Sequence, residues 1–129
     1  MNGKRLLLDT NAVISILRGH EILLTLTQSA AWVGISIITY LEFKSFTKLT
    51  GKDTSLFKEF LLRVNVVSLR PEDDELIRIT VNLRKTHRLK LPDAIIAASA
   101  LTNHAALVTA DKALSRVGAI AVISFTPAE

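Results

Sequence analysis

The chain has 129 residues, 49% of them apolar, and a mean hydropathy of +0.34. That suits one folded unit with a substantial core, expected over residues 1–129, and excludes an intrinsically disordered chain. Sixteen Lys and Arg against twelve Asp and Glu give a net charge of +4, which permits a nucleic-acid partner without requiring one. Cysteine is absent, which removes disulfides, thiolate chemistry and cysteine-ligated zinc.

Lys4–Leu8 reads as a short buried strand ended by the turn-type cluster Asp9-Thr10-Asn11. Ala12–Arg18 reads as a helix stopped by Gly19, and Glu21–Ser29 as a second. Trp32–Ile37, β-branched and apolar, predicts the second strand. The hydroxyls between Ser36 and Thr39 predict the cap of a third helix. Its inner face is expected at Ile38, Leu41, Phe46 and Leu49, with Gly51 closing it. Thr54–Arg63 repeats helical spacing through Leu56, Phe57, Phe60 and Leu61, and Val64–Leu69 follows as the third strand. Pro71 and the acids Glu72 to Glu75 are expected to open a long helix with an apolar stripe of Leu76, Ile79 and Leu83. Pro92-Asp93 starts another helix, Ala94 to about Asn103, apolar on most sides and therefore expected to be buried. Ala106–Thr109, Asp111–Val117 and Ile120–Phe125 then predict strand, short helix and strand. Such alternation implies an α/β fold, a three-layer α/β/α sandwich around a mostly parallel five-stranded sheet.

No stretch reads as a membrane span. The longest apolar run, Ala30 to Leu41, carries Gly34, Ser36, Thr39 and Tyr40 and falls short of the ~20 residues required. Lys4-Arg5 before Leu6-Leu7-Leu8 starts like a secretory leader, but Asp9 ends the run well before the roughly 7–15 residues of an h-region. A cytoplasmic location is expected.

Four carboxylates stand in apolar company: Asp9 after Leu6-Leu7-Leu8, Glu42 between Leu41 and Phe43, Asp93 between Pro92 and Ala94-Ile95-Ile96, and Asp111 after Leu107-Val108-Thr109-Ala110. Asp9 and Asp111 follow strands, at the edge where parallel sheets bind ligands. Each also has a plainer reading, as a helix cap for the three aspartates and as a solvated helix residue for Glu42. If all four meet, electrostatics sets the outcome. Two carboxylates ~4 Å apart repel by about 4 kcal/mol at an effective dielectric near 20. Either some take up protons or a cation binds. Oxygen donors suit Mg²⁺ or Mn²⁺ rather than Zn²⁺, and His20, His87 and His104 lack metal-ligand spacing.

Gathering four acids in one cleft leaves sixteen bases against eight acids over the rest of the chain. An acidic, metal-charged cleft on a basic body suits a polyphosphate chain. Arg84, Lys85, Arg88 and Lys90, just before Asp93, are the expected contacts, with a solvated helix end opposing the dipole as the plainer alternative.

Leu7-Leu8-Asp9-Thr10-Asn11, the isolated Glu42, Leu91-Pro92-Asp93-Ala94-Ile95-Ile96-Ala97-Ala98 and Val108-Thr109-Ala110-Asp111, in this order and at this length, resemble a PIN-domain ribonuclease, specifically a VapC-type toxin of a toxin–antitoxin pair. The resemblance spans nearly the whole chain. It implies an α/β/α sandwich and a Mg²⁺- or Mn²⁺-dependent endoribonuclease. Asp9, Glu42, Asp93 and Asp111 would then be its catalytic and metal-binding acids, and Thr10, Asn11 and Thr109 would support them by hydrogen bonding, with Asn11 also able to cap the helix. It further implies an RNA substrate, a homodimer and a cognate antitoxin that blocks the cleft. The chain departs from the pattern at Ala113 and Leu114, where many relatives carry an acid and an aromatic; the departure bears on a second metal site more than the first. A haloacid-dehalogenase-type phosphatase would need an Asp at Asn11, and a receiver domain an Asp near Ser68-Leu69-Arg70. The remaining alternative is a catalytically silent PIN-like scaffold that binds RNA or a protein partner.

Overall fold

The structure, a computed structural model, describes residues 3–127, so four terminal residues of the expected 1–129 unit lie outside it. Five strands, β1 (Arg5–Leu8), β2 (Trp32–Ser36), β3 (Asn65–Val67), β4 (Ala106–Thr109) and β5 (Val122–Ser124), form one sheet in the order β3-β2-β1-β4-β5. Every neighbouring pair is parallel. β1 lies at the centre, which explains its unbroken Leu6-Leu7-Leu8: a parallel strand covered on both faces has no polar side.

Side chains alternate between two cores. Leu7 and Leu107 pack with α5 (Asp74–His87), α6 (Leu91–Thr102) and α7 (Lys112–Ser115) through Leu76, Leu83, Ile96 and Leu114. Leu6, Leu8, Ile35 and Val108 face the other way, onto α1 (Thr10–Leu17), α2 (Glu21–Gln28), α3 (Ile37–Lys44) and α4 (Gly51–Leu61). There Phe43 of α3 stacks on Phe57 of α4 with ring centroids 4.0 Å apart. The expected three-layer α/β/α sandwich is the observed one. Among the described residues no helix is long and apolar enough to cross a membrane.

Three local expectations are corrected. The inner face of α3 is Thr39 and Phe43; Leu41 and Phe46 are exposed by 53% and 43% because α3 stands at the sheet rim, where that side meets a cleft rather than a core. Gly51 does not close α3, which ends at Lys44 with the Ser45 hydroxyl on the Leu41 carbonyl; Gly51 begins α4. Thr50 caps α4 by accepting from the Asp53 amide, and Asp53 accepts in return from the Thr50 amide, each at 3.0 Å. Pro71 and Glu72 precede α5 in a turn, because the Asp73 carboxylate bonds the Arg70 amide at 2.8 Å and delays the helix to Asp74.

Candidate functional site

The strand order places the site. The chain runs outward from β1 to β2 and β3, then returns to lay β4 on the other side of β1. The strand order therefore reverses between β1 and β4, and their C-terminal ends open a crevice there. Asp9 follows β1 and Asp111 lies two residues beyond β4. Each also caps a helix: Asp9 Oδ1 accepts from the Ala12 amide at 2.8 Å, and Asp111 Oδ1 from the Ala113 amide at 2.8 Å. Capping leaves each carboxylate a second oxygen, which in Asp9 takes the Thr109 hydroxyl.

Asp93 and Glu42 arrive from helices. Asp93 sits in the first turn of α6, whose cap position, Lys90, makes no side-chain cap bond, so Asp93 is placed there without serving as the cap. Glu42 accepts a 2.5 Å hydrogen bond from Thr10 Oγ1. That hydroxyl also lies 3.4 Å from the fully buried Thr39 hydroxyl. The longer contact is the weaker of the two, since Thr10 has a single proton and Glu42 stands 2.5 Å from it. Thr39 escaped the sequence reading as a support for Glu42, although a hydroxyl three residues before an acid on one helix face was the available signal.

All four acids line one cleft of about 580 Å³, with Thr10 and Asn11, and with Ile38, Leu41, Phe46 and Ile96 as apolar walls. Burial raises the Asp9 carboxyl above the usual range; bonds from Thr109 and Ala12 pull it back, while Asp111 and Asp93 push it up. Asp93 is raised by burial, then by the charges of Asp111 and Glu42, with Lys90 opposing. These mutual repulsions are the electrostatic signature of convergence.

Thr109 ties two of the acids together. Its hydroxyl donates to Asp9 Oδ2 at 2.5 Å and accepts from the Asp111 amide at 2.9 Å. Asn11 is corrected in two respects: it lines the cleft, but Asp9 rather than Asn11 caps α1, and among the described residues its side chain makes no hydrogen bond to an acid. His20 caps α2, with Nδ1 accepting from the Leu23 amide and Nε2 on the Thr126 carbonyl, away from the cleft.

The donor set, carboxylate oxygens alone, fits a hard divalent cation. Among the described residues, however, no group of three or more His, Asp or Glu side chains is arranged to hold a metal as it stands. Three of the carboxylates are turned toward protein donors: Asp9 to Thr109 and Ala12, Glu42 to Thr10, Asp111 to Ala113. Ligation would require some of them to turn into the cleft.

A second groove, about 470 Å³, shares Asp93 and Asp111 with the cleft and is lined by His87, Arg88, Lys90, Ala113 and Arg116. Of the four expected basic contacts, Arg88 and Lys90 are in it. Arg84 and Lys85 are not: Arg84 turns its Nε onto the Leu89 carbonyl at 3.4 Å, holding the α5–α6 turn. Arg116, from a distant segment, gave no sign of itself in the sequence.

An α/β/α sandwich with a carboxylate-lined cleft at its strand-order reversal is the class that fold and site define. The PIN domain family model matches residues 6–120, and the chain belongs to that family. PIN domains of the VapC kind are nucleases that generally use divalent metals. Among solved structures, the chain is similar to one of VapBC2 from Rickettsia felis bound to a promoter DNA fragment, with TM-score 0.78 and 20% identity over 94% of this chain and 98% of that one. It is similar to a toxin–antitoxin complex from Klebsiella pneumoniae, with TM-score 0.75 and 27% identity over 92% and 96%. It is also similar to VapBC-1 from nontypeable Haemophilus influenzae, with TM-score 0.69 and 25% identity over 92% and 96%. No curated protein matches it.

Proposed function

We propose that this chain is a Mg²⁺- or Mn²⁺-dependent endoribonuclease, the VapC-type toxin of a toxin–antitoxin pair. The observation that carries the reading is the meeting of Asp9, Glu42, Asp93 and Asp111 in one cleft at the strand-order reversal. Asp9, Asp93 and Asp111 would hold the ion, with Glu42 binding it directly or through water. The ion supplies charge for a phosphodiester oxygen and lowers the pKa of a water.

The chain's own residues do the rest. Thr109 keeps Asp9 and Asp111 in register, and Thr10 keeps Glu42 at the cleft wall. Ile38, Leu41 and Phe46 limit solvent beside the carboxylates. Water as nucleophile leaves a 5′-phosphate and a 3′-hydroxyl. The working protein is taken as a cytoplasmic homodimer whose cleft a cognate antitoxin blocks; support for the antitoxin is that the similar structure from Klebsiella pneumoniae is a toxin–antitoxin complex.

One observation favours the silent-scaffold reading: the acids are not arranged as a ready cage among the described residues. A single experiment separates the two. Purified protein is incubated with RNA in Mg²⁺, Mn²⁺ or EDTA, beside Asp9→Asn. The nuclease reading expects cleavage abolished by chelation and by the substitution, with 5′-phosphate ends. Tight RNA binding without cleavage in either metal would leave the scaffold, and 2′,3′-cyclic phosphate ends would mean attack by the ribose hydroxyl.

A further inference from the structure

The groove beside the carboxylate cleft is built from two separate segments, the α5–α6 turn and the end of α7. Arg88 and Lys90 come from the first, and Arg116 from the second; all three are exposed. None forms an ion pair with a carboxylate, since among the described residues the single ion pair is Arg70–Asp73; Lys90 acts on the Asp93 carboxylate only at longer range. With no ion pair to hold them, the Arg88 and Arg116 guanidinium groups keep their charge available to an incoming anion.

Two details of the groove point the same way. Arg88 closes α5 in the left-handed conformation, φ +54° and ψ +33°. Glycine is the usual residue there, and a side chain with a Cβ costs roughly 1–2 kcal/mol in that region. Arg84, Lys85 and His87 already oppose the dipole of α5, so Arg88 is not needed for that purpose. Ala113, exposed between Asp111 and Arg116, contributes no charge to the groove.

We propose that this groove is a phosphate subsite, with Arg88, Lys90 and Arg116 as its contacts, which takes the RNA backbone beside the phosphate held at the carboxylate cleft. The proposal rests on the ribonuclease reading. Asp93 and Asp111 form the shared wall, so a strand crossing from cleft to groove passes from the acids that would hold the metal to unpaired guanidinium and ammonium groups without leaving a continuous surface. Guanidinium groups suit this role because they bind phosphate oxygens in a bidentate fork.

The test is binding, read apart from cleavage. Fluorescence anisotropy of a labelled single-stranded RNA is measured in EDTA across a salt series, for the wild type, Arg88→Gly, Arg116→Ala, the Arg88→Gly/Arg116→Ala pair, Ala113→Asp and the Arg84→Ala/Lys85→Ala pair. Loss of two single-strand phosphate contacts should make the slope of log K against log salt shallower by about 1.4. The Arg88/Arg116 pair should show that loss, Ala113→Asp should weaken binding several-fold, and the Arg84/Lys85 pair should keep the wild-type slope. Arg88→Gly should also raise the melting temperature while weakening RNA, opposite signs that a purely structural residue would not produce. If RNA binds and is cut in Mg²⁺ but the Arg88/Arg116 slope does not move, or the Arg84/Lys85 pair loses as much, the subsite is wrong and the nuclease reading stands. If the wild type neither binds nor cuts RNA, both are wrong.

Discussion

Thr109 and Asp9, a hundred residues apart in sequence, are joined by a 2.5 Å buried hydrogen bond that links the ends of β4 and β1. The same hydroxyl accepts from the Asp111 amide, so one oxygen organises both strand-end acids. Thr109→Val keeps the shape and removes the hydroxyl. A buried carboxylate and an amide then lose a partner, at a cost of about 1–3 kcal/mol. Urea denaturation should show this loss, and Thr109→Ser should recover most of it. A valine variant as stable as wild type would mean that water replaces the hydroxyl.

Glu42 is held by Thr10 across two helices, and a double-mutant cycle isolates that bond. Thr10→Val, Glu42→Gln and the double variant should give a coupling of about 1 kcal/mol, toward the lower end for a charge-assisted bond because both residues are partly exposed. Additive single effects would show that the two side chains do not interact in solution.

The raised pKa of Asp93 sets a pH dependence for the metal-free protein. Its folded-state carboxyl holds its proton above the ordinary 3.8, for reasons of burial and then of Asp111 and Glu42. The unfolded chain therefore ionises first, and stability present at low pH declines as pH rises through the folded value. Asp93→Asn should melt higher than wild type at pH 7 in EDTA, and the gap should close below about pH 4, since the amide does not titrate. A gap of equal size at both pH values would assign the effect to packing instead of charge.

Gly34 sits in β2 beneath the indole of Trp32, two residues back on the same face. A Cβ at Gly34 would collide with that ring, so Gly34→Ala must displace Trp32. The Arg5 guanidinium, 4.6 Å from the ring centroid, would lose its seat as well. The expected cost is roughly 1–3 kcal/mol. The chain has one tryptophan, so its emission reports the movement directly. Unchanged emission with unchanged stability would refute the close approach.

Legibility followed the range of the forces involved. β4 was readable to the residue, because an apolar run between turn residues is a local signal. The Thr50–Asp53 box is equally local, but Gly51 beside it is the stronger stop signal in a linear pattern, which hides the helix start. Leu41 and Phe46 misled because exposure at a cleft mouth looks, in sequence, like burial in a core. Arg84, expected as a phosphate contact, turns onto a carbonyl of its own loop, while Arg116, for which the sequence gives no expectation, lines the groove from another segment.

The amino-acid order alone determined the alternation of strands and helices, the two-faced burial of β1, and the oddity of four acids in apolar surroundings, since each depends on neighbours along the chain. Only the tertiary structure decided that these acids share a cleft, that Asp9, Glu42 and Asp111 are turned toward protein donors, and that a basic groove adjoins them. Those facts depend on laying β4 against β1 across a gap of some hundred residues, and a local pattern carries no information about which strand ends become neighbours.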